Sequence, residues 1–280
     1  KLLEAMDTSD EVVCSYIKNV VGDSVSDVEL AIALMHVAYD SKHFVDKLST
    51  KTSARQLAEE YSLRRNSGVY IEGQKSFLRS KFKGELERFK RETPGAEVYA
   101  ILGNDDMIET EGEMRALHDA GLLNYINSGV VPLRDDLFIA GYPFVVNSRG
   151  QFYAGWEKDE EEIGQDLEGI RVGMGAQDIP MNRTIFAIHT PGYGNGLDVN
   201  YRGEHIGSQA VADFARAHKP LAVLSGHVHE SFRKTGKVME IVGETPCYNP
   251  GAHFAKDKCT AVIIDTDRPA EFERIYEVNI

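Results

Sequence analysis

Short runs of apolar residues recur along this chain of 280 residues, each about the length of one strand. The runs at 97–102, 184–188 and 221–224 are apolar almost throughout, which is typical of strands buried on both faces of a sheet. Between and around them, apolar residues recur at helical spacing and predict helices. The predicted helices cover 28–48, 54–65, 74–92, 111–120 and 206–218.

The order of these elements favours an α/β fold. Strands alternate with helices through the middle of the chain, and two neighbouring strands are predicted at 128–133 and 136–142. After the last helix the sequence is rich in strands, predicted at 238–242, 259–265 and 272–278. We therefore expect a central, mixed sheet flanked by a second, more antiparallel sheet.

The segment 143–181 interrupts the periodic pattern. It is rich in Gly, Asn and Asp, and it contains an acidic run at 157–162. We expect an exposed loop or lid here, with at most one short helix, and we interpret the acidic run as a solvated face. This lid, which includes Trp156, is predicted to set the choice of substrate.

Charge and cysteine content narrow the classes of partner. The chain carries 31 Lys and Arg against 44 Asp and Glu, a formal net charge of −13, which argues against a nucleic-acid partner. The same charge is compatible with metal cations and with a small phosphorylated substrate held by them. Cys14, Cys247 and Cys259 form no C-x-x-C pair, so we expect reduced, buried cysteines. No apolar run could span a bilayer and no signal segment opens the sequence, which predicts a soluble, cytoplasmic protein without a membrane partner; the oligomeric state stays open.

Three of the predicted strands stop at residues that can bind divalent metal ions, namely Asn104, His189, and His227 with His229. In an extended chain His227 and His229 would point to the same side and could reach one point in space. The carboxyl ends of parallel strands meet at one edge of a sheet, where ligands bind. Imidazole nitrogen and amide oxygen suit Zn, Mn and Fe, so the pattern predicts a metal site at this edge. The alternative is that these histidines are hydrogen-bonded structural residues at strand ends.

The same residues resemble the signature of the calcineurin-like metallophosphoesterases. The motifs are Gly103-Asn104-Asp105-Asp106, the isolated His189, Gly226-His227-Val228-His229 and Asn249-Pro250-Gly251, in that order. The chain looks most like a group of small bacterial and archaeal phosphoesterases that share three further features. These are His189-Thr190-Pro191, Gly207-Ser208 and the extension of the histidine pair by Glu230-Ser231. The resemblance covers about residue 74 to the C-terminus.

This resemblance implies a four-layer αββα sandwich, formed as one domain over 1–280 with a helical insertion at about 28–70. It also implies a metal-dependent phosphoesterase that hydrolyses phosphomonoester or phosphodiester bonds with two divalent metal ions, Mn, Fe or Zn. By position in the motifs, Asn104, His189 and His227 would bind one metal ion and His229 the other. Asp106 would orient one of these ligands without binding metal itself.

Two departures from the family pattern bear on this expectation. Asp105 stands where the family usually has a His that protonates the leaving group, so Asp105 is the candidate catalytic acid. A carboxylic acid needs a raised pKa for that role and nearby cations lower it, so a loop-capping Asp is the alternative. Good leaving groups would need the acid least.

The second departure concerns the family's Asp-x-His and Gly-Asp motifs, which supply the remaining metal ligands, including the carboxylate that bridges both ions. Lys1 stands inside a predicted helix, so Asp-x-His is expected just before it. The bridging carboxylate is expected near Cys14, where Ser15 follows instead, and Asp23 comes later than expected. Either these residues lie outside the sequence or the site is degenerate. A degenerate site favours a non-catalytic scaffold, as in the retromer subunit of this family, and the diester chemistry of such sites leaves a nuclease as a third hypothesis.

Overall fold

The computed structural model describes residues 68–147, 155–252 and 258–279. Nearly all of them belong to one compact unit, Glu72–His253 with Cys259–Val278. The predicted helices at 28–48 and 54–65 lie outside the described residues, as do Cys14 and Asp23, and the helical insertion at about 28–70 stays a prediction.

The described helices are α1 (Gly68–Phe77), α2 (Lys83–Glu92), α3 (Glu111–Asp119), α4 (Glu160–Gly175), α5 (Gln209–His218) and α6 (Ser231–Thr235). The strands are β1 (Tyr99–Ala100), β2 (Asn124–Tyr125), β3 (Val130–Arg134), β4 (Leu137–Tyr142), β5 (Val145–Val146), β6 (Glu157–Lys158), β7 (Thr184–Ile188), β8 (Ala222–Leu224), β9 (Met239–Val242), β10 (Thr245–Tyr248), β11 (Lys258–Ile264) and β12 (Phe272–Asn279). A π-helical turn, Leu78–Phe82, joins α1 to α2, so the helix predicted at 74–92 is present and starts earlier.

The central sheet has six strands in the order β3-β4-β7-β8-β10-β9. The four inner strands are parallel to one another, and the edge strands β3 and β9 run antiparallel to their neighbours. This mixed arrangement is the one expected from the sequence. Because β4, β7, β8 and β10 run the same way, the loops that follow them meet at one edge.

One face of this sheet packs against α4 and α5. Leu167 of α4 and Phe214 of α5 cover Phe186 of β7, and the rings of Phe186 and Phe214 lie 5.0 Å apart in an edge-to-face arrangement. The other face meets residues of the two small sheets, β1-β2 and β11-β12. Its core consists of Ile126, Leu137, Ile139, Ile185, Ala222 and Tyr248, with Tyr99, Val262 and Phe272 packed against them. Alternate residues of each central strand thus face a helical layer and a second sheet, which is the α/β sandwich that the resemblance implied.

The segment 143–181 differs from the exposed loop with at most one short helix. It contains the 16-residue helix α4, which begins with a capping box in which Asp159 and Glu162 exchange hydrogen bonds of 2.8 and 3.1 Å. The acidic run therefore supplies a helix start, and the apolar positions Ile163 and Leu167 behind it are fully buried. Trp156 is buried as well, at 4% exposure. That the rest of the segment 143–181 acts as a lid stays a prediction.

The acidic run also stabilises a second helix. Glu160 accepts hydrogen bonds from the Ser208 hydroxyl (2.7 Å) and from the backbone N–H groups of Gln209 (2.9 Å) and Ala210 (3.0 Å), at the start of α5. A carboxylate there satisfies free N–H donors and complements the helix dipole. The interpretation of the run as no more than a solvated face is therefore wrong for Glu160.

Two expectations from composition can be compared with the structure. Cys247 is buried at 5% exposure and carries a free thiol, as expected. Among the described helices, none is both long and apolar enough to cross a membrane.

Candidate metal centre

The candidate site lies at the carboxyl ends of β1, β7 and β8. His189 directly follows β7, and the chain leaves β8 at Leu224 to reach His227. β7 and β8 are parallel neighbours, with Ala187 opposite Leu224, and beyond the paired residues the Gly226 N–H still donates to the His189 carbonyl at 3.1 Å. Asn104 comes from the turn after β1 in the other sheet.

Asn104, His189 and His227 converge on one point. The Asn104 side-chain oxygen Oδ1 lies 2.9 Å from His189 Nε2 and 2.9 Å from His227 Nδ1. The two imidazole rings are 5.4 Å apart, centre to centre. Residues separated by 85 and 123 positions in the chain thus present two ring nitrogens and one amide oxygen to the same place.

Gly103 makes this approach possible. A Cβ atom at this position would lie 2.4 Å from Cε1 and Nε2 of His189, well inside van der Waals contact. The imidazole therefore packs directly on the backbone before Asn104, and only glycine leaves room for it.

The backbone at His227 is not extended, contrary to the expectation for the His227–His229 pair. His227 has φ +62°, in the left-handed region, and the Val228 N–H donates to the Gly226 carbonyl at 2.6 Å. Histidine tolerates this conformation better than branched residues do, and such strain is common at functional sites. His229 lies in the turn that leads into α6, near enough to His189 for its charge to lower the pKa of that ring.

Burial keeps both central histidines neutral. It lowers the pKa of His189 from 6.5 to about 4 and that of His227 from 6.5 to about 3. The negative charge of Asp105 opposes this effect on both rings, but burial is the larger cause. At neutral pH both imidazoles are therefore in the form that binds metal ions.

The two aspartates after Asn104 have different surroundings. Asp106 accepts a hydrogen bond from the Gly103 N–H at 2.8 Å, so it holds the turn that places Asn104. Asp105 is exposed, close enough to His189 and His227 to act on them electrostatically. The turn is also fixed by Gln74 of α1, which accepts from the Met107 N–H (2.9 Å) and donates to the Asp105 carbonyl (3.1 Å). Gln74 carries no motif and was not singled out from the sequence.

The residues present fit a divalent cation. Two neutral imidazole nitrogens and an amide oxygen suit Zn, Mn or Fe, and their 2.9 Å separations match the roughly 3 Å between neighbouring ligands in an octahedral shell. In the described part of the chain, no three His, Cys, Asp or Glu side chains form a group able to hold an ion. The carboxylates that would complete the set are expected before residue 68, outside the described residues.

The loop between β7 and α5 is held in place by hydrogen bonds from motif residues outside it, and the sequence did not reveal these contacts. Asn249, from the Asn249-Pro250-Gly251 motif, donates through Nδ2 to the carbonyls of Leu197 (2.8 Å) and Val228 (3.1 Å). Glu230 accepts from the Tyr201 N–H at 3.0 Å. The residues flanking His229 therefore hold this loop, and these contacts join residues too far apart to show a periodic signal.

Within the same loop, Asp198 and His205 form a close pair. Asp198 Oδ1 lies 2.7 Å from His205 Nδ1, and Asp198 is fully buried. Seven positions separate the two residues, and no strand or helix pattern links them, so only the structure reveals the pair.

Comparisons with known proteins bear on the fold and on the family. A comparison with curated protein sequences finds no match. A solved crystal structure aligns with a TM-score of 0.55 at 16% identity, covering 78% of this chain and 80% of that chain. The protein TT1561 of Thermus thermophilus aligns with a TM-score of 0.49 at 16% identity, covering 71% of this chain and 78% of that chain. The family model described as calcineurin-like phosphoesterase matches residues 72–231, more than half of the sequence, and the chain therefore belongs to the calcineurin-like phosphoesterase family.

Proposed function

We propose that this chain hydrolyses phosphomonoester or phosphodiester bonds at a binuclear metal centre. The observation that carries the proposal is the position of Asn104 Oδ1, 2.9 Å from a ring nitrogen of each of two neutral, buried histidines. Buried histidines that serve only structure usually bond to backbone or to carboxylates. Here instead both rings bring a nitrogen to within 2.9 Å of the same amide oxygen, which supports a site where the three atoms would bind one cation.

In this proposal Asn104, His189 and His227 hold one ion and His229 holds the second. When bound, the two cations supply the attacking hydroxide from water and the positive charge that stabilises the phosphoryl group. The protein's own contribution is the orientation of the ligands. Gly103 and Asp106 fix the turn of Asn104, and the left-handed backbone at His227 aims its ring at Asn104.

Asp105 is the candidate that the motif places at the leaving group. The negative charge of Asp105 partly opposes the lowering of the His189 and His227 pKa values by burial, so this carboxylate lies close to both rings. As a charged, exposed group it favours substrates whose leaving oxygen needs no proton, such as aryl phosphates and diesters. A small phosphorylated molecule is the proposed substrate class, bound with Mn, Fe or Zn.

The experiment is hydrolysis of para-nitrophenyl phosphate and of bis-para-nitrophenyl phosphate by the Mn-loaded chain, before and after removal of metal with a chelator. We expect hydrolysis that is lost on chelation and restored by Mn. His189→Gln should lower kcat/KM by at least about 100-fold, since it removes a ligand rather than a more distant partner. His218→Gln on α5 is the matched control, because His218 pairs with Glu168 away from the site.

Two results would contradict the proposal. A folded chain that binds two equivalents of metal but hydrolyses neither substrate would exclude this activity. A folded chain that binds no metal would instead support the non-catalytic scaffold.

A further inference from the structure

The Asp198–His205 pair is held more rigidly than a surface contact requires. Asp198 Oδ1 lies 2.7 Å from His205 Nδ1, and Oδ2 accepts from the backbone N–H groups of Gly194 (2.9 Å) and Gly207 (3.2 Å). An ionised carboxylate only accepts hydrogen bonds, so His205 Nδ1 must carry a hydrogen and donate it. The pair therefore fixes both the orientation of the imidazole and the position of its hydrogen.

The other edge of the His205 ring faces outward. The side chain is 38% exposed, and Nε2 forms no hydrogen bond with the residues that the structure describes. The ring of Tyr193, itself 48% exposed, lies 5.6 Å from the His205 ring, centre to centre. A histidine anchored by a buried carboxylate at one nitrogen and open at the other is arranged to exchange a proton with a ligand.

The loop that carries this pair is hydrogen-bonded to the residues beside the proposed metal ligands. Pro191 lies two residues after His189, and Ser208 lies three residues after His205. The Ser208 N–H donates to the Pro191 carbonyl at 2.9 Å. The same loop also contacts the segment after β8. The Val199 N–H donates at 3.2 Å to the hydroxyl of Ser231, which lies two residues after His229. His205 thus belongs to the loop after β7, which is hydrogen-bonded to the segment after β8.

The proposed hydrolysis requires a proton donor when the leaving group is strongly basic. Asp105 occupies the motif position from which the family's His serves the leaving group, and a carboxylate beside bound cations holds a proton poorly. An alkyl or unsubstituted phenyl leaving group departs as a strongly basic oxygen and requires a proton donor.

We propose that His205 is a catalytic residue that donates the Nε2 proton to the leaving group, with Asp198 as its positioning residue. This inference rests on the proposed phosphoesterase function. Water attacks phosphorus and forms the new P–O bond, the bond to the leaving oxygen breaks, and its electron pair takes the proton from the imidazolium of His205. The proton released by the attacking water returns through solvent to His205, which restores the starting state.

The test compares leaving groups in the metal-loaded full chain and in His205→Gln. Loss of a proton donor should lower kcat/KM for phenyl phosphate by about 100-fold or more, but for para-nitrophenyl phosphate by less than about 10-fold, because nitrophenolate needs little protonation. Asp198→Asn should show the same pattern with a smaller effect. The control His218→Gln should leave both substrates unchanged, and metal equivalents per chain should be the same in all variants.

A binding measurement provides a readout other than turnover. In spectra of the zinc-loaded chain labelled with ¹⁵N-histidine, inorganic phosphate should shift the ring signal of His205 and leave that of His218 in place. Equal losses for both leaving groups in His205→Gln, or a His205 signal that phosphate does not move, would overturn the assignment while leaving the proposed function intact. A wild-type chain that hydrolyses neither substrate would overturn the proposed function, and this inference with it.

Discussion

His189 Nε2 lies 2.9 Å from Oδ1 of Asn104, although 85 positions separate the two residues and they follow strands of different sheets. The contact therefore depends on how the two sheets pack. A side-chain oxygen is held between two neutral imidazoles only because the turn after β1 and the loops after β7 and β8 end at the same edge.

Removing that oxygen should weaken metal binding. We expect Asn104→Ala to bind Mn or Zn at least about 10-fold more weakly than wild type, because one of three converging donors is lost. Asn182→Ala is the matched control, since Asn182 is exposed and lies before β7, at the opposite end of the strand from His189. Calorimetric titration of both variants gives the affinities. Equal affinity in the two would mean that Asn104 is not a ligand.

Adding one methyl group at Gly103 should displace His189. In Gly103→Ala the Cβ would meet the imidazole at 2.4 Å, so the ring or the turn must move. We expect metal equivalents per chain to fall, with a loss of stability on the order of 1–3 kcal/mol from overpacking. Gly112→Ala in α3 has nothing within 4 Å of the added atom and should be neutral or slightly stabilising. Thermal unfolding and metal analysis compare the two variants. Normal metal content in Gly103→Ala would count against the close packing of His189 on Gly103.

The buried histidines should make the metal-free chain sensitive to acid. The folded-state pKa values of His189 and His227, about 4 and about 3, lie below the ordinary value of 6.5. Between those values the unfolded chain binds more protons than the folded chain. Stability is thus fully present above about pH 6.5 and is lost as the pH falls toward the folded-state values.

The expected size of this loss is roughly 2 kcal/mol per histidine at about pH 5. Urea unfolding in the presence of a chelator, at about pH 7.5 and about pH 5, measures it. His189→Gln should show a smaller difference between the two pH values than wild type. The same difference in both proteins would contradict the lowered pKa of His189.

Glu160 should matter for stability but not for metal content. Glu160→Gln weakens the three hydrogen bonds that the carboxylate accepts at the start of α5, and we expect a loss of about 1–2 kcal/mol. Glu161→Gln changes a neighbouring exposed residue of the same acidic run and should have an effect below about 0.5 kcal/mol. Chemical denaturation of the two variants compares them directly. Equal stability would mean that the run is a solvated face after all.

The thiol of Cys247 should resist modification in the folded chain. Burial raises its pKa to about 12, and the thiolate is the reactive form. In a Cys14→Ser, Cys259→Ser background, reaction with a thiol reagent should be at least about 100-fold slower in buffer than in denaturant. Rapid reaction in buffer would show that the strand opens readily.

The sequence predicts those parts of the fold whose structure depends on the pattern of apolar residues within one short segment. β7 and β8 are apolar runs closed by polar residues, so their ends, and the meeting of His189 with His227 there, could be predicted. β10 could not be predicted, because Thr245, Pro246 and Tyr248 show no alternation of apolar and polar residues. Its position inside the sheet depends on its pairing with β8. α4 was not predicted at its full length, because its acidic first turn resembles an exposed segment. The helical spacing of the apolar residues Ile163 and Leu167 follows that turn.

The candidate site could be predicted from the sequence only as far as its individual candidate residues. The left-handed backbone at His227 follows from the local turn after Gly226, which an alternation argument cannot detect. Asp198 and His205 pair across a loop that is folded by Glu230, Ser231 and Asn249, all of them more than 20 positions away. Contacts of this kind arise from the tertiary structure, so no window along the chain contains them.

Asn249 also limits how this protein could be re-engineered. Its amide group donates to the backbone carbonyls of Leu197 and Val228, so the loop after β7 and the segment after β8 are joined through one side chain. Both acceptors are backbone carbonyls, so a loop transplanted from a relative with another specificity would keep its hydrogen bond to Asn249 only if its backbone followed the same path. Transfer of specificity should therefore succeed only when both segments are exchanged together with the residue that joins them.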